Sequence, residues 1–170
     1  MADIQVRETT LRRSRPPVLI LALVVACSAQ ATAQTSVNSG YVRATAGFTK
    51  LYLDEPSQFI GGGSFRANLL KRLGIEPELL ATRGSRFAQW SVAPNLVVDL
   101  TDPDGRATAY VIGGIGYVQE LDKSIRYTRR SLTWSGGIGV RVFVGDRVFF
   151  APEFRVGTMS RAVVGLGYTF

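Results

Sequence analysis

The sequence has no histidine and a single cysteine, Cys27, in 170 residues. Without histidine, the chain cannot build a Ser-His-Asp or Cys-His catalytic site, or a zinc centre with imidazole ligands. One cysteine cannot form an internal disulfide or a thiolate cluster. These absences predict a protein that is not an enzyme and that holds no metal and no cofactor.

Charged residues are also few, at 19% of the chain, where about a quarter is usual. They are unbalanced, with 20 basic against 13 acidic residues and a formal net charge of +7. Such an excess in a soluble protein suggests nucleic acid or another anionic surface as the partner. The low charged fraction indicates instead a chain that meets something apolar.

The first 33 residues have the pattern of a secretory signal peptide, in which a basic start within 7–15 precedes an uncharged apolar run at 18–26. That run is about half as long as the roughly 20 residues of a membrane-spanning helix. Cleavage sites of the A-x-A type lie at 31–33 and 29–31, and residues 24–27 resemble a bacterial lipobox that would lipidate its cysteine. We predict ordinary cleavage after residue 33, which lowers the net charge to +5 and makes nucleic acid an unsuitable partner for an exported chain.

Residues 34–170 show apolar and polar residues in alternation, with turn signals between the alternating runs. The runs are about 10 to 14 residues long, which exceeds the usual 5 to 6 of globular strands and matches strands that cross a bilayer at a tilt. We predict eight strands. They are 40–53, 57–70, 73–83, 86–100, 106–119, 128–144, 147–157 and 160–170.

The two faces of these strands differ in a way that indicates a membrane. Phe150, Pro152 and Phe154 share an uncharged face, whereas Glu153 and Arg155 carry opposite charges in the middle of the other face. A soluble barrel normally has apolar residues inside at mid-strand and charges outside. We therefore predict a lipid-facing apolar surface, and the alternative is a soluble periplasmic barrel or sandwich that binds a small apolar ligand with its apolar faces turned inward.

The C-terminal segment 164–170 ends in Phe170, with Tyr168 two residues before it and apolar alternates. Together with the export signal, the eight runs and the segment 151–157, it resembles the bacterial outer-membrane β-barrel family of the OmpA/OmpX type. The resemblance covers 34–170 and implies an all-β fold, an eight-stranded antiparallel up-and-down transmembrane β-barrel, in the outer membrane. It also implies that Tyr168 and Phe170 form the signal read by the barrel-assembly machinery. One departure is that the predicted exterior loops are short.

In such a barrel the polar faces point inward and bring charged side chains together. The predicted interior charges are Arg43, Arg66, Glu76, Glu78, Asp99, Arg141, Glu153 and Arg155. Side chains just fill an eight-stranded interior, so we interpret this set as a hydrogen-bonded network that fixes strand register. A narrow ion path is the alternative. Glycines in the strands are expected to allow curvature or the close packing of large neighbours.

A basic stretch follows the fifth predicted strand and continues into the start of the sixth. Its members are Lys123, Arg126, Arg129 and Arg130. As an exterior loop it could hold anionic groups of lipopolysaccharide through charge-assisted hydrogen bonds. The acyl hydrolases, palmitoyl transferases and proteases of this barrel architecture rely on histidine, which is absent here. The sequence therefore predicts a monomeric, non-catalytic outer-membrane protein with a structural or surface-interaction role, in contact with lipid and lipopolysaccharide. The alternative function is a narrow channel for small or apolar solutes.

Overall fold

The computed structural model describes residues 40–50, 57–84, 87–122 and 127–170, and they form eight strands. The predicted segment 1–33 lies outside these residues. The strands are β1 (Tyr41–Lys50), β2 (Gln58–Asn68), β3 (Leu73–Arg83), β4 (Phe87–Asp99), β5 (Ala107–Asp122), β6 (Tyr127–Phe143), β7 (Val148–Gly157) and β8 (Ser160–Thr169). The described part of the chain contains no helix that is long and apolar enough to cross a membrane.

Each strand pairs antiparallel with its neighbours in the chain, and β1 also pairs with β8, so the sheet closes into a barrel. The predicted eight-stranded up-and-down barrel is confirmed, with strand limits that differ from the predicted ones by three residues or fewer. We call the end of the barrel that carries the connections 69–72, 100–106 and 144–147 the turn end. The opposite end, where 158–159 joins β7 to β8, is the loop end.

Alternation along the strands separates a buried interior face from an exposed exterior face. In β8, Arg161 and Val163 are buried, whereas Val164 and Leu166 on the other face are exposed, Leu166 at 62%. The same polarity holds in β7, where Glu153 is 4% exposed. The soluble alternative is wrong, because it requires the apolar residues inside and the charges in solvent.

The stagger of the strands can be read by following paired residues once around the barrel. The path runs Asn68, Gly74, Val97, Ile112, Gly137, Arg155, Arg161, Thr49 and Gln58. It leaves β2 at Asn68 and returns to β2 at Gln58, a shift of ten residues. At ordinary strand spacings this stagger tilts the strands by about 40° to the barrel axis. Side chains at distant sequence positions thereby reach the same depth of the interior.

Three prolines on the exterior face interrupt the ladders between strands. Pro77 and Pro94 lie opposite each other in the β3–β4 pair, and Pro152 lies in β7. The registers skip the positions where Pro77 faces β2, Pro94 faces β5 and Pro152 faces β6. Proline has no N–H to donate, so each of these prolines weakens the pairing between two neighbouring strands.

Candidate functional site

The barrel interior is the candidate site, because it collects nine buried charged side chains. They are Arg43, Arg66, Glu76, Glu78, Asp99, Arg141, Glu153, Arg155 and Arg161, each 6% exposed or less. The structure places all eight predicted interior charges there. Sequence reasoning missed the ninth, Arg161, although this residue begins the interior-facing alternation of β8.

Six of these residues form what we call the six-charge cluster, an alternating chain of ion pairs. Its pairs are Glu76–Arg43 (2.5 Å), Arg43–Glu153 (2.9 Å), Glu153–Arg155 (2.6 Å), Arg155–Glu78 (3.0 Å) and Glu78–Arg161 (2.6 Å). Its members come from β1, β3, β7 and β8, so the chain joins strands that are far apart in sequence. A slip of one residue would turn a strand's charges to the outside. The cluster therefore specifies the register of four strands.

Arg66, Asp99 and Arg141 form a second group, the three-charge cluster. Arg66 donates from Nη1 and Nη2 to the two carboxylate oxygens of Asp99, at 3.0 and 2.8 Å. Arg141 also donates from Nη2 to Asp99 Oδ1. Bidentate pairing of this kind is among the stronger charge-assisted contacts in proteins.

Two tyrosines connect the clusters. The Tyr41 hydroxyl donates to Glu76 Oε2 at 2.5 Å, and the Tyr110 hydroxyl donates to Glu153 Oε2 at 2.9 Å. Their rings lie beside the Arg141 guanidinium, at 5.4 and 5.2 Å from ring centre to Cζ. Sequence reasoning missed both tyrosines. The first alternates along its strand with a predicted interior residue, and the second pairs with a predicted interior residue of the neighbouring strand.

Towards the loop end the interior holds an apolar group beside buried uncharged polar side chains such as Thr49 and Thr82. Ile60, Leu80 and Val163 pack together at 1%, 2% and 4% exposure, and Leu80 follows the six-charge cluster by two residues on the same face of β3. Beyond them Met159 is buried, and Gln89 donates to its sulfur at 3.2 Å. Apolar side chains therefore fill part of the interior beyond the six-charge cluster.

The carboxylates of the interior are all engaged by its arginines. Every one of its four carboxylates accepts a hydrogen bond from at least one arginine. No group of three or more His, Cys, Asp or Glu side chains in the described ranges converges on a point where a metal ion could sit. The arrangement is suited to cross-linking strands.

The predicted basic loop is only partly described, since Lys123 and Arg126 lie outside the described residues. Arg129 and Arg130 are exposed, but they lie within β6 and not in a loop, opposite Glu120 and Gln119 of β5. β5 extends three residues beyond its predicted end at 119, and β6 begins one residue before its predicted start at 128. Their alternation does not end with a turn signal.

The predicted assembly signal lies on the outer wall near the turn end. Tyr168 is 43% exposed and Phe170 is 54% exposed. Arg147 donates to the Tyr168 hydroxyl at 3.1 Å, and Phe170 stacks on Phe65 with 6.0 Å between ring centres. In the adjacent turns, the hydrogen bond to Asp104 and the nearby charge of Asp102 raise the pKa of Lys71.

Comparison with known proteins gives one family and several similar folds. Residues 19–170 match the family model described as the outer membrane protein beta-barrel domain. No curated protein matches the sequence. The N-terminal β-barrel domain of Pseudomonas aeruginosa OprF is similar with a TM-score of 0.62 at 13% identity, over 78% of this chain and 99% of that one. Neisserial surface protein A has a TM-score of 0.63 at 12% identity, over 79% of this chain and 98% of that one.

A third similar structure is Ail, the attachment invasion locus protein of Yersinia pestis, in complex with the heparin analogue sucrose octasulfate. Its TM-score is 0.51 at 18% identity, over 81% of this chain and all of that one. At such identities the likeness is one of fold.

Proposed function

Because the chain belongs to the family of the outer membrane protein β-barrel domain and lies in the bacterial outer membrane, we propose that it is a plugged, monomeric barrel with a structural or surface-interaction role and no catalytic activity. The observation that carries the proposal is the six-charge cluster, whose alternating ion pairs fasten four strands across the interior. An eight-stranded barrel has room for little beyond such side chains. The interior therefore stabilises the wall and does not conduct.

Conductance in planar lipid bilayers tests this proposal. Purified protein is expected to produce no steady current at 1 M salt, and a sixteen-stranded porin, which has an aqueous channel, serves as the positive control in the same bilayer. Reproducible single-channel steps that disappear when Arg43→Met or Glu78→Gln changes the network would contradict the plugged interior. That result would favour the alternative, a narrow channel.

Light scattering in detergent should give the mass of one chain, and a dimer mass would contradict the monomer.

We also propose that the basic stretch Lys123, Arg126, Arg129 and Arg130 contacts anionic groups of lipopolysaccharide. Arg129 and Arg130 support this because both are exposed on the extended β6, where guanidinium groups can meet phosphates. The quadruple Gln variant should bind lipopolysaccharide vesicles more weakly, and the difference should shrink as salt rises. The matched control is Arg72→Gln with Arg147→Gln, two exposed arginines at the turn end. Equal binding by both variants would contradict the assignment.

Export is proposed to remove residues 1–33. Mass spectrometry of protein isolated from outer membranes should find a mature chain that begins at Gln34 and carries no lipid. A lipidated N-terminal Cys27 would contradict this and support the lipobox.

Tyr168 and Phe170 are proposed as the signal for the barrel-assembly machinery. Phe170→Ala should lower the amount of assembled barrel in cells more than it lowers refolding into detergent in vitro. Val156→Ala, another exposed apolar residue of the wall, is the control and should change neither. An equal loss for the two variants in cells would contradict the role of the C-terminal aromatic.

A further inference from the structure

The turn end of the barrel holds a cavity of about 670 Å³. It is lined by Pro103, Asp104 and Arg106 from the connection between β4 and β5, by Phe143 at the end of β6 and by Asp146 in the connection that follows. Its volume lies within the range of about 300 to 1,000 Å³ that is usual for small-molecule sites. Short connections of outer-membrane barrels face the periplasm, so a ligand of this cavity comes from that compartment.

The cavity has an apolar surface that is supported from the barrel interior. The half-buried Phe143 ring packs on the Phe149 ring, with 5.5 Å between ring centres. Phe149 is fully buried and packs edge-on against Tyr41 at 4.9 Å. Pro103, also half-buried, adds a second apolar surface. An aromatic ring held in this way can receive an apolar side chain of a ligand.

The connection that carries Arg106 is braced by its own hydrogen bonds. The Asp102 carbonyl accepts from the Gly105 N–H and from the Thr108 hydroxyl, each at 3.2 Å. The Arg106 carbonyl accepts from the Phe143 N–H at 2.9 Å, which ties this connection to the end of β6. The backbone at Arg106 is therefore fixed next to the aromatic surface of the cavity.

The cavity carries charges of both signs, and only some of them are paired. Asp104 is neutralised by Lys71, whose Nζ lies 3.1 Å from its Oδ2. Arg106 and Asp146 are exposed, and within the described ranges neither forms an ion pair. The guanidinium of the neighbouring Arg147 is hydrogen-bonded to the outer wall instead. Two opposite charges that line one cavity and remain apart suit a ligand with opposite charges at its two ends.

We propose that this cavity binds a short periplasmic peptide by its two termini. The peptide carboxylate pairs with the guanidinium of Arg106, which can offer two parallel N–H donors. The peptide ammonium pairs with Asp146, and an apolar side chain of the peptide packs on Phe143. An internal segment of a protein has no termini to offer, and a divalent anion would meet the carboxylates of Asp104 and Asp146 in the same cavity.

The probe is the dipeptide alanyl-phenylalanine, which has both termini and an aromatic side chain. Isothermal titration calorimetry of the whole protein in detergent compares it with its N-acetylated form, which lacks the ammonium, and with its C-terminal amide, which lacks the carboxylate. Each modification should weaken binding about fivefold, the upper range for charge pairs that remain exposed to water. No heat of binding at millimolar dipeptide, or equal binding of the three forms, would overturn the proposal.

Two variants assign each terminus to its side chain. In Arg106→Gln the penalty for amidation should disappear and the penalty for acetylation should remain, and Asp146→Asn should show the reverse. Arg72→Gln is the matched control, an exposed arginine of the same end that does not line the cavity, and both penalties should persist in it. The heat-dependent shift in gel migration verifies that each variant is folded. Unchanged penalties in Arg106→Gln and Asp146→Asn would overturn the assignment.

Discussion

Gly139 lies directly opposite Tyr110 in the β5–β6 pair, and the Tyr110 ring occupies the space that a side chain at position 139 would need. The space at Gly139 lets the Tyr110 ring lie across the neighbouring strand. In this position the Tyr110 hydroxyl donates a hydrogen bond to Glu153. Gly167 receives the Phe149 ring in the same way across the β7–β8 pair. Glycines in these strands therefore make room for the largest side chains of the interior.

Replacing Gly139 with Ala should destabilise the barrel by about 2 kcal/mol, because the new methyl group displaces the Tyr110 ring. The displacement would also weaken the hydrogen bonds of Tyr110 with Glu153 and Arg43. Urea-induced unfolding in detergent measures the loss. Gly136→Ala is the matched control, since a methyl group there meets no atom closer than 3.9 Å. Equal stability of the two variants would contradict the conclusion that Gly139 makes room for the Tyr110 ring.

The sequence predicts the barrel well because its evidence is local. Period-two alternation, mid-strand charges such as Glu153 and Arg155, and turn signals between runs each report on a few neighbouring residues. The end of β5 was predicted three residues too early, because the alternation runs on through 119–122 without a turn residue. The additional residues of a long strand show the same local alternation as those of a short strand.

The pairing inside the barrel could not be predicted from the alternation. Alternation places Arg43, Glu76 and Glu153 on interior faces, but their mutual contacts depend on the ten-residue stagger of the sheet. The stagger is a property of the closed barrel and has no local sequence signal. For the same reason, the alternation did not indicate that Tyr41 and Tyr110 would meet Arg141.

Replacing Glu153 with Gln should destabilise the barrel by about 3 kcal/mol, because two arginines, Arg43 and Arg155, then share a buried site with one carboxylate fewer. Unfolding in urea should show the loss as a lower midpoint. Lys71→Gln breaks exposed pairs with Asp102 and Asp104 and should leave the midpoint unchanged. The double variant Glu153→Leu with Arg155→Leu should recover part of the loss, since it removes both charges. A double variant that is less stable than Glu153→Gln would show that the Glu153–Arg155 pair contributes more than charge balance.

Replacing Pro152 with Val should restore the pairing between β6 and β7 where it is interrupted. The β6–β7 register runs from Ser135–Gly157 to Gly139–Glu153 and resumes only at Val142–Phe150, and the variant supplies the N–H that proline lacks. Hydrogen–deuterium exchange is the measurement, because the added freedom of the unfolded chain offsets part of any gain in global stability. The new amide at 152 should exchange as slowly as its neighbours in β7. Exchange as fast as that of the exposed turn 144–147 would show that proline is not the cause of the gap.

Replacing Ile138 with Arg should impair insertion into lipid. Ile138 is 63% exposed and lies on the outer wall between Val111 and Phe154, five residues before the end of β6. An arginine on the lipid face near mid-membrane costs about 2–4 kcal/mol. Leu70→Arg provides a control of equal exposure, 64%, in the turn between β2 and β3. Folding into phosphatidylcholine vesicles should fall for Ile138→Arg and not for Leu70→Arg, whereas in detergent micelles, which adapt to a charge more readily, the difference should narrow. Equal folding of the two variants into vesicles would mean that the exposed apolar band does not face the bilayer interior.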